Sequence, residues 1–270
     1  MVYVAARRLL LWIAMPGGTA DARLEAVVTR ASSLRHVRPV QPLRFPATEP
    51  EDEKLPESRR HFRHRNTLFL VLQEVLGSQH TVGCDQFVYF DATDPRRCLA
   101  PDAFVKVGVP DHDFDAYLVW EEGTPELAFE VLSPSDSPER WTFKEKLRRY
   151  RSLGVRELVC FNLDAKPGKR LRVWDRLEHD LVERVVTSER TPCLVLGLTM
   201  LVGKVGVDPI ALRFARDAAG RDLVLTPQEM LAAASAERDR AAAERDRALA
   251  KVAALEKALR REPPKKRRRR

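Results

Sequence analysis

A carboxylate inside an apolar segment is the feature of this sequence that most clearly needs a chemical explanation. Residues 127–132 read Leu-Ala-Phe-Glu-Val-Leu between Pro125 and Pro134, a pattern typical of a central strand buried on both faces. An ionised carboxylate buried without a partner is costly, so such a group is normally paired, hydrogen-bonded or bound to a cation. We therefore expect Glu130 to have a partner, and a cation is the first hypothesis.

Two other kinds of charged residue accompany Glu130 in the chain. Asp102 stands at the start of a predicted strand, and Lys144 and Lys146 lie on a predicted helix that follows Glu130. Two carboxylates, a backbone carbonyl and a few waters make an ordinary Mg²⁺ site that leaves room for a phosphate oxygen. Such a metal activates water, and a nearby lysine orients that water or neutralises transition-state charge. The pattern predicts phosphodiester hydrolysis.

Helix periodicity distinguishes between the two lysines. Lys146 lies three residues after Phe143 and four before Tyr150, which places its stem beside the apolar stripe, whereas Lys144 points further round the helix. We predict Lys146 as the catalytic lysine. The plainer interpretations are that the Pro-Asp pair is an ordinary turn, that the strand glutamate lies at a sheet edge and that the lysine faces water. The apolar stripe consists of Phe143, Leu147, Tyr150 and Leu153.

The elements that must position these residues alternate between helical and extended patterns. Helix, strands, helix and strands in that order predict an α/β fold, a mixed sheet flanked by helices. The first predicted helix has Phe62, Leu68, Leu72, Val75 and Leu76 on one face. The predicted segments are a helix from Ser58 to Leu76, strands 82–90, 101–107 and 127–132, a helix capped by Ser137 and ending before Gly154, strands 157–163, 170–175, 181–186 and 195–202, and a final helix opening at Thr226.

The charge and the cysteines limit the class of protein. The last six residues, 265–270, supply six of the net +8 charges, so the rest of the chain is nearly neutral and its overall charge does not indicate a DNA-binding groove. The four cysteines are widely spaced without a Cys-x-x-Cys pair, which favours reduced thiols in a cytoplasmic protein. The apolar run near the N-terminus is too short to span a membrane. We expect no membrane partner.

The composition divides the chain into four parts. Residues 1–54 form an N-terminal extension without assigned structure, residues 55–228 the predicted domain, residues 229–261 a C-terminal helix and residues 262–270 a basic, disordered tail. Residues from about Leu231 onward are expected to be dispensable for folding, because they offer little apolar surface.

The C-terminal helix contains an internal repeat. Residues 236–241 recur as residues 243–248, and a heptad-spaced seam becomes apolar only toward its end. Two interpretations stay open: a solvated single helix, or a short coiled coil that joins two copies of the chain. The seam consists of Ala241, Arg245, Ala248, Val252, Leu255 and Leu259.

Three motifs together resemble the Uma-two family of putative restriction endonucleases, which is placed in the PD-(D/E)XK nuclease superfamily. They are Pro101-Asp102, the segment Phe-Glu-Val-Leu-Ser-Pro-Ser at 129–135, and Lys146, Tyr150 and Gly154-Val155 followed by a strand. The similarity runs from about Leu55 to the Thr226-Pro227-x-Glu229 segment.

The resemblance implies a restriction-endonuclease-like core, a divalent metal (Mg²⁺ or Mn²⁺) and DNA as the substrate. By that analogy Asp102 and Glu130 bind the metal and are catalytic, Lys146 is the catalytic lysine, and Ser133 and Tyr150 are supporting residues. The superfamily's usual lysine position, two residues after the glutamate, holds leucine here. The lysine is accordingly displaced onto the helix.

Two functions from different classes remain. The first is a metal-dependent DNA endonuclease. The second is a catalytically weak or silent protein of nuclease fold, acting as an interaction module through its C-terminal helix and basic tail. The presence of Asp102, Glu130 and Lys146 favours the endonuclease.

Overall fold

The computed structural model of the protein describes residues 43–46, 57–134 and 141–261. The predicted basic tail and most of the predicted N-terminal extension lie outside these described residues. The helices are α1 (Arg59–Leu76), α2 (Val119–Glu122), α3 (Phe143–Leu153) and α4 (Pro227–Arg261). The strands are β1 (Thr81–Gly83), β2 (Val88–Tyr89), β3 (Cys98–Leu99), β4 (Ala103–Lys106), β5 (Tyr117–Leu118), β6 (Leu127–Leu132), β7 (Glu157–Asn162), β8 (Leu171–Leu177), β9 (Asp180–Arg184), β10 (Arg190–Cys193), β11 (Leu198–Val205) and β12 (Asp208–Ala215).

A mixed sheet of six strands in the order β1-β4-β6-β7-β8-β9 forms the centre of the fold. Strand β6 pairs with β4 antiparallel and with β7 parallel, so the predicted central strand has a neighbour on each side. Smaller sheets join β3-β2-β5 and β10-β11-β12. The α/β class is confirmed, with a mixed sheet flanked by helices and a C-terminal helix.

The side chains of the central strand alternate between two apolar clusters. Phe129 and Val131 pack with Leu68 and Leu72 of α1 in one cluster. In the other cluster Ala128 packs with Tyr150 and Leu153 of α3, together with residues of β7. This alternation follows from the two-residue period of a strand. The two clusters place α1 and α3 so that both helices can reach the middle of β6.

Helix α1 begins where the sequence predicts. Ser58 is its N-cap and accepts a hydrogen bond from the backbone N–H of His61, which satisfies one of the first unpaired donors of the helix. The apolar face differs from the prediction at one position, because Phe62 is half-exposed and the guanidinium of Arg65 stacks on its ring. His64 and Arg65 are buried instead.

Helix α3 begins at Phe143, after Thr142, whose backbone is extended. The helix start predicted at Ser137 lies outside the described residues. Thr142 and Glu145 form a capping box in which each side chain bonds the other's backbone N–H. This reciprocal capping stops the helix from continuing backward, and Gly154 in the left-handed conformation ends it.

The prediction of one continuous strand over residues 82–90 is wrong. It divides into β1 and β2, which belong to different sheets. Asp85, with φ of 68°, lies between them in a left-handed conformation that a continuous strand does not contain. The β-branched composition correctly indicated extended structure in both pieces, but it did not indicate the break between them.

Only the first turn of α4 is attached to the domain. Glu229 forms a capping box with Thr226 and two hydrogen bonds of 2.8 Å with the buried guanidinium of Arg213 on β12. From Leu231 onward every side chain that the structure describes is exposed except those of Ser235 and Ala242, which are partly so. No helix among the described residues is both long and apolar enough to cross a membrane.

A pair of truncations tests this attachment. A chain that ends at Ala234 should keep the unfolding free energy of the full chain, because the exposed part of α4 contributes no packing to the domain. A chain that ends at Gln228 should lose about 3 kcal/mol, because the buried Arg213 loses its carboxylate partner. Urea unfolding of the three proteins measures the difference, and equal loss in both truncations would show that the exposed part of α4 stabilises the domain.

Candidate active site

Glu130 lies in the middle of β6, and only 4% of its surface is exposed. Both of its carboxylate oxygens have partners on α3. Oε2 accepts a hydrogen bond of 2.6 Å from Nζ of Lys146, and Oε1 accepts a short hydrogen bond from the hydroxyl of Tyr150. The ammonium of Lys146 thus supplies the positive charge that the sequence suggested a metal would provide.

Of the two lysines on α3, Lys146 is the one that lies next to Glu130. Lys146 reaches Glu130, whereas Lys144 is exposed. The difference follows from packing: Tyr150 and Leu153 bury one side of α3, and Lys146 lies one turn before Tyr150 on that side. Tyr150 is fully buried, as a hydrogen-bonded phenol in a core can be.

Asp102 lies directly before β4. The register of β4 and β6 pairs Ala103 with Phe129, so one residue further along it places Asp102 opposite Glu130. Oδ2 of Asp102 accepts a hydrogen bond of 2.7 Å from the backbone N–H of Val131. The structure therefore brings Asp102, Glu130 and Lys146 together, although they are up to 44 positions apart in the chain.

His61 is a member of this cluster that the sequence analysis missed. Its Nε2 lies 2.7 Å from the carbonyl oxygen of Val131 and 3.4 Å from Oδ1 of Asp102, and its Nδ1 lies 2.8 Å from Oε1 of Glu57. Both ring nitrogens thus face oxygen atoms that accept protons, an environment that favours the imidazolium. Arg65 holds Glu57 through two further hydrogen bonds.

The ionisation of the cluster follows from burial and charge. Burial raises the pKa of Glu130, while Lys146 lowers it and Asp102 raises it further, and the net shift is upward. Burial alone would lower the pKa of His61, but its contacts with Asp102 and Glu57 raise that pKa to about 9. Burial and the neighbouring Glu130 raise the pKa of Tyr150, which keeps its hydroxyl protonated as a donor.

The oxygen ligands in this cluster suit a hard divalent cation. Carboxylate oxygens keep acceptor capacity beyond one hydrogen bond each, and Asp102, Glu130 and the carbonyl of Val131 are oxygen ligands of the kind that Mg²⁺ takes. Among residues 43–46, 57–134 and 141–261, no three His, Cys, Asp or Glu side chains are grouped as metal ligands. A cation here would therefore take its remaining ligands from backbone and water.

Ser133, directly after β6, has a buried hydroxyl without a hydrogen-bond partner. It is completely buried, and its Oγ is the one buried side-chain polar atom in the described part of the chain without a hydrogen-bond partner. An unpaired buried hydroxyl costs free energy, so it marks a place suited to a water or another ligand. Ser133 lies three residues after Glu130, close to the proposed ligands in the chain.

Comparisons with known proteins concern both the sequence and the fold. The family Uma2, "Putative restriction endonuclease", matches residues 52–202, more than half of the chain. A solved structure of a putative nuclease belonging to DUF820 from Anabaena variabilis ATCC 29413 is similar over 53% of this chain and 77% of its own, with 12% identity and a TM-score of 0.38. No curated protein shows significant similarity to the chain.

The raised pKa of His61 predicts a pH dependence of stability. A folded-state pKa of about 9, above the ordinary 6.5, means that the imidazolium stabilises the fold fully below about pH 6.5 and that this contribution is lost as the pH rises through 9. The unfolding free energy of the wild type should exceed that of His61→Gln by an amount that decreases between pH 6.5 and 9.5. Urea titrations at several pH values measure it, and a constant difference would contradict the assigned ionisation.

Proposed function

We propose that this chain, which belongs to the Uma2 family of putative restriction endonucleases, is a metal-dependent endonuclease that hydrolyses phosphodiester bonds of DNA. The observation that carries the proposal is the contact between Lys146 and Glu130, 2.6 Å from nitrogen to oxygen, with Asp102 directly before the neighbouring strand β4. Two carboxylates can bind a metal that activates water, and a lysine beside them can stabilise the developing charge, which together suit such hydrolysis.

Asp102, Glu130 and the carbonyl of Val131 would hold the cation, Mg²⁺ or Mn²⁺. When bound, it would lower the pKa of a water ligand and stabilise negative charge on the phosphate. The chain's own residues orient this chemistry. Tyr150 fixes one oxygen of Glu130, and the backbone N–H of Val131 fixes one oxygen of Asp102.

Lys146 is the residue proposed to act on the substrate. Its side chain is mostly buried, and its ammonium lies 2.6 Å from Oε2 of Glu130. From there it can donate to the attacking water or to a phosphate oxygen as charge develops. We assign supporting roles to Ser133, whose unpaired hydroxyl can bind water, and to Tyr150.

A second candidate is a weak or silent nuclease fold that serves as an interaction module. It is favoured by the fact that both oxygens of Glu130 already have protein donors, so the buried charge is stable without a cation. The exposed length of α4 could then bind partners, including a second copy of the chain through the heptad seam. Light scattering of the full chain and of the chain ending at Ala234 tests the dimer.

Cleavage of supercoiled plasmid separates the two functions. The wild-type protein should nick or linearise the plasmid with Mg²⁺ or Mn²⁺ and should leave it intact in EDTA. Glu130→Ala should be inactive under all conditions. If the wild type and Glu130→Ala cleave the plasmid to the same small extent, the cleavage comes from a contaminant. The interaction module then explains the protein better than the endonuclease does.

Metal should stabilise the wild-type fold specifically. Mn²⁺ at a hundred times its dissociation constant should add about 2.7 kcal/mol to the stability and raise the melting temperature. Glu130→Ala should show no such shift, because one of the proposed ligands is gone. Thermal melts of both proteins with and without Mn²⁺ make the measurement, and an equal shift in both would show that the cation binds elsewhere.

Replacement of the two lysines by methionine tests the catalytic assignment. Lys146→Met keeps most of the side chain's bulk and should lose about 100-fold or more in cleavage rate, as removal of an electrostatic stabiliser does. Lys144→Met is the matched control on the same helix and should change little, since Lys144 is exposed. Metal-dependent melts establish that both variants still fold. Normal cleavage by Lys146→Met would remove it from the mechanism.

A further inference from the structure

A basic groove runs beside the candidate active site. It has a volume of about 530 Å³, within the range of ligand sites, and lies between α3 and the chain around β2 and β3. Four arginines line it against two carboxylates, which makes the groove locally positive although the chain outside its tail is nearly neutral. The arginines are Arg96, Arg97, Arg148 and Arg149.

Two of these arginines stack on aromatic rings that also line the groove. The guanidinium of Arg149 lies 3.9 Å from the ring centre of Trp141, and that of Arg97 lies 5.5 Å from the ring centre of Phe90. Arg149 is held further by hydrogen bonds to the backbone oxygens of Arg96 and Cys98. Stacking of this kind orients a guanidinium and leaves N–H groups at its edge for an anion.

Trp141 connects this groove with the candidate active site. It also lines a smaller cavity of about 70 Å³, whose other walls include Lys146 and Asn162. The same indole therefore borders the Arg-rich groove and the space beside the proposed catalytic lysine. A chain of phosphates that passed through the groove would reach Lys146 by way of Trp141.

We propose that this groove binds the substrate strand next to the scissile phosphate, with the arginines on backbone phosphates and an unstacked base against Trp141. The inference rests on the proposed function and specifies its substrate as a single-stranded or locally opened strand. Positive charge that follows a backbone, combined with aromatic side chains, is the chemistry by which proteins bind single strands. A closed duplex offers phosphates but no unstacked base.

Binding in EDTA tests the groove separately from catalysis. A fluorescein-labelled oligothymidylate of about 12 nucleotides, in the range of single-strand site sizes, is titrated with the full chain, and anisotropy is recorded. Arg148→Glu should weaken binding by about tenfold or more, the value of one charge-assisted hydrogen bond. It should also reduce the slope of log affinity against log salt by about 0.7 for each phosphate that the variant no longer neutralises.

Arg216→Glu is the matched control, because it makes the same charge change at another exposed arginine. It should alter affinity less than twofold and leave the salt slope unchanged. Equal weakening of binding by Arg148→Glu and Arg216→Glu, or no binding by the wild type, would overturn the proposal that the groove binds the strand, even if plasmid is cleaved. If plasmid is not cleaved while Arg148→Glu alone weakens binding, the groove stands and the proposed function fails.

The choice of a single strand is tested with Trp141→Ala. Loss of base stacking should weaken oligothymidylate binding about 5- to 150-fold and should affect a duplex of equal length much less. Trp120→Ala, which removes another partly exposed indole, should leave both affinities unchanged. Thermal melts confirm that both variants are folded. Equal losses on single strand and duplex would overturn the inference of an unstacked base.

Discussion

Charge compensation in the middle of the central sheet is the interaction on which the rest of this structure depends. Asp102 and Glu130 lie on neighbouring chain segments, and both are more than nine-tenths buried. Each positive partner comes from a different helix, Lys146 from α3 and His61 from α1. A buried carboxylate that lost its partner would be strongly destabilising, so the stability of the folded sheet depends on both helices.

This arrangement explains how a stable fold can also carry a reactive site. Asp102 adds to the cost of ionising Glu130, because its charge raises the pKa of the Glu130 carboxyl. Protein groups offset that cost, since Lys146 and Tyr150 satisfy Glu130 while His61 and the backbone of Val131 satisfy Asp102. A cation that bound there would share ligands that are already oriented, and the preorganisation is what an electrostatic site requires.

The parts of the site that could be predicted are those with a local signature. The period of β6 and the odd placement of Glu130 identified the central strand, and the spacing of Phe143, Lys146 and Tyr150 identified the lysine. His61 has no such signature, because its spacing to Glu57 is an ordinary helical one and its contact with Asp102 joins residues 41 positions apart. The only local hint was a histidine in the first turn of α1, which is too common a feature to indicate a site.

Other local details also depend on contacts made by folding. Thr142 caps α3 through its reciprocal bonds with Glu145, and beside it Trp141 packs on Arg149 and Phe143 on Trp174. The break at Asp85 depends on which sheet each half of 81–90 can join, which is a property of the neighbouring strands.

By itself, the sequence therefore determined the α/β class, the buried strand with its carboxylate, the helix periodicity that selects Lys146 and the resemblance to a nuclease family. Only the tertiary structure decided the rest: the partners of the buried charges, the strand pairings and the joining of Trp141 to an arginine groove. The physical reason is range, since periodicity and capping act over a few residues, whereas charge compensation and cavity walls join residues whose proximity is created by folding.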